Sequence, residues 1–281
     1  MTAPSSPAPS APPVVWAIAG TDPSGGAGLP ADLKTFHALG CYGASVVTAV
    51  LAQNTLGVRR IEITTADIVR AQLAALAEDL PPAAIKIGML GRAEIVRAVA
   101  EALDDARAPA VCDPVLASTG GVALLDDPGR AALIAELLPR LAVLTPNAPE
   151  AELLTGARIA TPDDVPRAAE RLLAQGPRAI VLKGGHLGGG DSRDYYSDGR
   201  ESFWMASPRR PVLRHGTGCV FSSALAAGLA RGRSPAEAAL WAKAYVNQGL
   251  RLGPAIGHGR GPLAHPGEPT DPGDWPRRIP A

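Results

Sequence analysis

The chain is short of several residue types, and each shortage narrows what it can be. Only Cys41, Cys112 and Cys219 are cysteines among 281 residues. An odd, sparse count excludes a disulfide scaffold and fits a reducing compartment, so a cytoplasmic protein is expected. Neither sign of charge is in excess: 27 basic side chains stand against 27 acidic ones. A neutral chain lacks the electrostatic footprint that draws a protein to nucleic acid or to an anionic membrane. The most apolar stretch, 45–52, falls far short of the ~20 residues a membrane-spanning helix needs. Residues 1–13 have neither the basic start nor the apolar run of a secretion signal. Lysine is scarce too, at Lys34, Lys86, Lys183 and Lys243 against many arginines. Genomic base composition is the plain explanation. Three of the four nevertheless stand in the motifs below, where a site needing a compact ammonium cannot accept arginine freely.

Common catalytic signatures are missing as well. There is no G-x-x-x-x-G-K-[ST] stretch, no G-x-S-x-G elbow and no histidine pair at zinc-ligand spacing. Gly26, Gly28 and Ala31 match G-x-G-x-x-A, but the next apolar strand ends at Gln53-Asn54 and not on the acidic residue a dinucleotide site requires.

What is present is an alternation of short β-rich runs with helical segments. Strands are expected at 14–19, 45–51, 84–87, 110–112, 141–144 and 179–182. Helices are expected at 31–39, 66–79, 93–104, 131–138, from Thr161-Pro162 to 174, and from Ser234 to about 250. This pattern predicts right-handed crossovers, a mainly parallel sheet with helices on both faces, and one domain over 14–262. Residues 1–13 and 263–281 are rich in Pro, Ser and Gly without apolar periodicity, and are expected to be disordered tails. In such a sheet ligands bind beyond the carboxyl ends of the strands, which is where the distinctive motifs fall.

Four of these motifs carry chemistry. In His215-Gly216-Thr217-Gly218-Cys219, two glycines precede an apolar helix whose free N–H groups suit a phosphoryl oxygen. Cys219 in that first turn would have its thiol pKa lowered unless the site is too apolar; the alternative is a structural cysteine in a helix entry. In Thr145-Pro146-Asn147-Ala148-Pro149-Glu150, Asn147 and Glu150 either cap a helix or serve phosphate and a magnesium water. Lys183, after an apolar strand, is placed to meet a nucleotide phosphate or is a plain strand-end lysine. The small, polar loop 20–28 is long enough to close over a planar ligand.

Taken in order, AGTDPSGGAG (19–28), ADLKTF (31–36), AQNT (52–55), KIGML (86–90), DPV (113–115), TPNAPEA (145–151), KGGH (183–186), HGTGC (215–219) and GHGRGP (257–262) resemble the hydroxymethylpyrimidine kinase/phosphomethylpyrimidine kinase family of the ribokinase superfamily. The resemblance implies a ribokinase-like three-layer α/β sandwich, usually a homodimer. It implies two successive transfers from ATP with Mg2+, first to the hydroxymethylpyrimidine precursor of thiamine and then to its phosphate. It implies that Gln53 bonds the aminopyrimidine, with Ala27, Asp32, Met89 and Val115 at other pocket positions. Cys219 would be the base beside an anion hole of Gly216, Thr217 and Gly218. Asn147, Lys183 and Thr217 would meet the nucleotide, and Asp113 and Glu150 the metal. Three positions depart from the family pattern: Pro30, the run 116–120, which lacks a lysine, and Arg214. They make a pyridoxine-type alcohol the alternative substrate. A non-catalytic pyrimidine sensor, which needs only Gln53 and its neighbours, is the alternative of a different class.

Overall fold

The computed structural model describes residues 11–118, 121–185, 190–212 and 214–281. Most of the expected N-terminal tail, together with Thr119, Gly120 and His186, lies outside them. In chain order the elements are β1 (Val14–Thr21), α1 (Gly28–Ala38), β2 (Tyr42–Asn54), β3 (Gly57–Ile63), α2 (Ala66–Asp79), β4 (Ala84–Ile87), α3 (Ala93–Ala106), β5 (Ala110–Cys112) and α4 (Asp127–Ala132). Then come β6 (Val143–Leu144), α5 (Ala148–Thr155), α6 (Val165–Leu173), β7 (Ile180–Lys183), β8 (Asp191–Ser197), β9 (Ser202–Pro208), α7 (Thr217–Ala230), α8 (Pro235–Leu252) and β10 (Arg277–Pro280).

The strands form one sheet in the order β10-β9-β8-β7-β6-β5-β4-β1-β2-β3. Its centre, β7-β6-β5-β4-β1-β2, is parallel, and its flanks are antiparallel hairpins. β1 shows why the centre reads as continuous apolar runs. Trp16 and Ile18 join the core under α2–α6, while Val15, Ala17 and Ala19 join the core under α1, α7 and α8. A strand buried on both faces has no polar side to alternate with. The result is the ribokinase-like α/β sandwich that the sequence led us to expect. The chain leaves β1 toward β2 and later returns to β4 on the other side, so the carboxyl ends of β1 and β4 flank a topological switch point.

Helix boundaries follow local chemistry. Thr65 caps α2 through the Ile68 N–H, and Ser234 and Glu237 form a reciprocal capping box on α8. The helix expected over 131–138 starts earlier. Asp126 caps it by accepting from the Gly129 N–H at 2.7 Å, and the chain then widens into a π-helical turn over Leu133–Leu137. No helix among the described residues is long and apolar enough to cross a membrane.

The expectation of a disordered C-terminal tail is overturned. Leu263 packs in the α1/α7/α8 core, and β10 pairs with β9 from Arg277↔Ala206 to Pro280↔Phe203. Asp274 is fully buried and accepts from Arg210 and Arg251, each at 3.2 Å, while its carbonyl accepts from Asn247 at 2.8 Å. Edge pairing uses backbone groups and the clasp uses polar side chains, so neither leaves an apolar period in the sequence.

Candidate active site

At the switch point the loop after β1 and the entry to α7 interlock. Gly216 sits at φ 86°, and a Cβ there would fall 1.9 Å from the Gly26 carbonyl oxygen, so only glycine fits. The two loops are tied by a polar knot. His215 Nε2 lies 2.9 Å from Asp22 Oδ2, and the Gln53 amide nitrogen lies 2.6 Å from the same ring nitrogen and 3.3 Å from Asp22. Asp22 also accepts from the N–H groups of Ser24 at 2.9 Å and Ala27 at 3.0 Å, which closes the loop back on itself. Burial alone would raise the Asp22 carboxyl, but the bonds from His215 and Ser24 hold it below the ordinary aspartate value. Gln53, Ala27, Met89 and Val115 are thus grouped around one end of the sheet. Met89 and Val115 belong to a single small apolar cluster with Ala49, Leu51 and Leu124.

The segment 253–262 straps this region. Arg214 Nη2 donates to the Gly253 carbonyl at 2.5 Å, the Arg260 N–H donates to the Thr55 carbonyl at 3.0 Å, and the His215 N–H donates to the Gly261 carbonyl at 3.0 Å. This is the work that Arg214, a departure from the family pattern, does here.

Beside the first turn of α7 stands a second charged group. Lys183, at the end of β7, donates to Asp113, at the end of β5, at 2.6 Å. A Cβ on Gly218 would stand 2.9 Å from Asp113 Oδ2 and 3.1 Å from Lys183 Nζ, so the glycine lets the helix N-terminus approach this pair. α7 starts at Thr217 and its first intrahelical bond is Val220 N–H to the Gly216 carbonyl, which leaves the N–H groups of 217–219 without helical acceptors.

Asn147 and Glu150 form a capping box on α5. The Glu150 N–H donates to Asn147 Oδ1 at 2.9 Å, and the Asn147 N–H donates to Glu150 Oε2 at 2.8 Å. The structure therefore displays the capping alternative that the sequence left open. Glu150 is nonetheless perturbed: burial pushes its carboxyl up to about 7, Lys183 pulls it back and Asp113 pushes it further.

Two expectations are corrected. Cys219 is half-buried, and its thiol is not depressed. Burial pushes it up to about 11; Lys86 counteracts this, Asp32 and Asp113 add to it, and a backbone bond from Gly28 opposes it. Desolvation outweighs the helix N-terminus because the pocket behind α7 is packed. Asp32, expected to line the pyrimidine pocket, points into the interior. It is fully buried and accepts from Lys86 at 2.8 and 2.9 Å and from Ser223 at 2.8 Å.

Sequence reasoning assigned no role to the side chains of Asp22, His215 and Lys86, although each stands inside a motif. It also passed over Lys243, which donates to Asp194 at 2.8 Å and Ser192 at 3.0 Å, while Asp194 accepts from the Gly184 N–H at 3.0 Å. Only the scarcity of lysine hinted at Lys86.

The chain is similar to known proteins over most of its length. The family model described as phosphomethylpyrimidine kinase matches residues 22–264. A hydroxymethylpyrimidine/phosphomethylpyrimidine kinase of Rhizobium meliloti is 46% identical over 256 residues, covering 90% of this chain and 96% of that protein. One of Streptomyces coelicolor is 46% identical over 266 residues, covering 94% and 98%. Among solved structures, the pyridoxal kinase of Staphylococcus aureus in complex with ADP superposes with a TM-score of 0.86 at 33% identity, covering 96% of this chain and 98% of that one. The length and identity of these matches, together with the geometry above, establish that the chain belongs to the phosphomethylpyrimidine kinase family.

Proposed function

We propose that the protein phosphorylates 4-amino-5-hydroxymethyl-2-methylpyrimidine with ATP, and then phosphorylates the product again to the diphosphate, for thiamine biosynthesis. The observation that carries this reading is the meeting, at one end of the sheet, of the Gln53 amide, the helix start at 217–219 with its free N–H groups, and Lys183. A planar polar ring bound at Gln53, over Met89 and Val115, directs its hydroxymethyl group toward Cys219. The amide nitrogen already reaches His215 and Asp22, which leaves the amide oxygen to accept from the amino group of the ring. The backbone N–H groups of Thr217, Gly218 and Cys219 hold the oxygens of the transferring group, and Lys183 supplies a point charge to the nucleotide phosphates. Asn147 lies beside Lys183, bridged to it through backbone pairing, and is placed to reach the same phosphates once they are bound.

We assign a magnesium ion to Asp113 and Glu150, the two carboxylates on either side of Lys183, because magnesium takes few protein carboxylates beside water and phosphate oxygens; Lys183, which now bonds Asp113 at 2.6 Å, would turn to the phosphates when the ion binds. Bound there, the ion would neutralise charge on the nucleotide phosphates. Cys219 is the group we assign to receive the hydroxymethyl proton. A cytoplasmic location agrees with three free thiols. A homodimer agrees with the exposed Val50 and Leu56 on the β2–β3 flank.

A panel of alcohol substrates with ATP and Mg2+, read by product identity, tests the assignment. Formation of both the pyrimidine phosphate and diphosphate is expected. Preference for pyridoxal or pyridoxine would favour the second reading, which the Staphylococcus aureus match brings forward. ATP turnover with none of them would favour neither, and ligand binding without turnover would point to the sensor.

A further inference from the structure

A lysine in the middle of a sheet needs a reason. Lys86 stands on β4, paired with Ala17 of β1 and Val111 of β5, and is fully buried. Its neighbours Ile85 and Ile87 face the α2–α6 core, so by strand alternation Lys86 faces α1 and α7. There its ammonium donates to both oxygens of Asp32 on α1, at 2.9 and 2.8 Å, and Ser223 on α7 donates to the same carboxylate at 2.8 Å. One ion pair thereby joins β4, α1 and α7. Ser223 is four residues after Cys219, so both lie on one face of α7 and the pair sits under the turn that carries the cysteine.

A buried ion pair is rarely the most stable filling of its space; apolar residues of similar volume often serve stability equally well or better. Its value here must lie elsewhere. The two charges act on the cysteine with opposite sign: Lys86 favours the thiolate and Asp32 disfavours it.

We propose that Lys86 and Asp32 form a buried positioning pair for phosphoryl transfer. Asp32 anchors α7 through Ser223, so Cys219 and the amides of 217–219 keep their place. Lys86 holds one fixed positive charge behind the point where negative charge gathers. A fixed charge in a dry site needs no reorganisation during the reaction. The inference rests on the kinase reading for its rate effect, but not for its effect on the cysteine.

The test uses the full chain and the variants Lys86→Met, Asp32→Asn and Lys86→Met/Asp32→Leu. Iodoacetamide alkylation of Cys219 at pH 8, followed by peptide mass spectrometry, reads the field. Lys86→Met should slow it about tenfold, and Asp32→Asn should speed it several-fold. The double variant should melt near the wild type, yet show kcat about a hundredfold lower with both KM values changed less than about threefold. Alkylation moving the same way in both single variants, or a folded double variant with wild-type kcat, overturns the proposal. Should the double variant not fold, Ser223→Ala decides it: lower kcat at an unchanged melting temperature supports the anchor, and wild-type kcat overturns it. A wild type without pyrimidine kinase activity would sink the kinase reading while the alkylation arm still judges the pair.

Discussion

Replacing Cys219 tests the proton path most directly. Burial pushes the thiol up to about 11. At pH 7.5 only about one molecule in 10³–10⁴ then carries the thiolate. If that thiolate receives the hydroxymethyl proton, kcat should rise about tenfold per pH unit above neutrality and level off as the thiol ionises. General-base help is typically worth ~10²–10⁴-fold, so Cys219→Ala should lose about that factor in kcat, with the pyrimidine KM changed less. The amides of 217–219 survive the substitution, and a residual rate should persist. Cys219→Asp should recover part of the loss and flatten the alkaline limb, because a carboxylate is already ionised at pH 7. Cys219→Ser should resemble Ala, since a serine hydroxyl is a weaker acid than the thiol. Steady-state kinetics of the wild type and the three variants from pH 6 to about 11.5 measures all of this. Wild-type turnover in Cys219→Ala would refute the reasoning, and the proton would then leave through water or the γ-phosphate.

Three further outcomes are expected. Deleting 263–281 removes β10, Leu263 and the Asp274 clasp, leaving Arg210 and Arg251 without their carboxylate and Asn247 with only its bond to Ser207; a loss of about 3–5 kcal/mol should lower the melting temperature by roughly 10 °C, and a shift of under two or so degrees would refute the clasp. Gln53→Ala should raise the KM for the pyrimidine about tenfold or more while sparing that for ATP, because an unmatched buried polar ring costs ~1–3 kcal/mol; equal effects on both substrates would make Gln53 merely a brace for Asp22 and His215. The Glu150 carboxyl binds its proton more tightly folded than unfolded, so its contribution is full below pH 4.5 and is lost as pH rises through about 7. Glu150→Gln keeps the cap but should remove that slope, on the order of 1–3 kcal/mol between pH 5 and 8, and raise the magnesium needed for half-maximal rate; an unchanged slope in thermal melts would refute it.

Much of this molecule was legible in one dimension. Strands buried on both faces announce themselves as apolar runs, and 84–87 and 110–112 were located to the residue. The helix 66–79 was equally plain because Thr65 caps it. The motifs fell at the carboxyl ends of strands, where a parallel sheet places its ligands, and the order of the motifs pointed to the family. The antiparallel flank β8–β9–β10 escaped because edge pairing is made by backbone groups, and the clasp at Asp274 because polar contacts have no period.

The residue chemistry of the site was decided elsewhere. Whether Asn147 and Glu150 cap a helix is a local matter, and the capping box was among the readings that the sequence offered. Whether Glu150 is perturbed depends on Asp113 and Lys183, which arrive from two other strands. Cys219 stands at a helix start in sequence, which alone would depress its thiol. In the folded chain, packing raises it and a lysine 133 positions earlier opposes that rise. Motif and period are properties of neighbours along the chain, but desolvation and charge act through space, so the protonation of the site belongs to the tertiary structure alone.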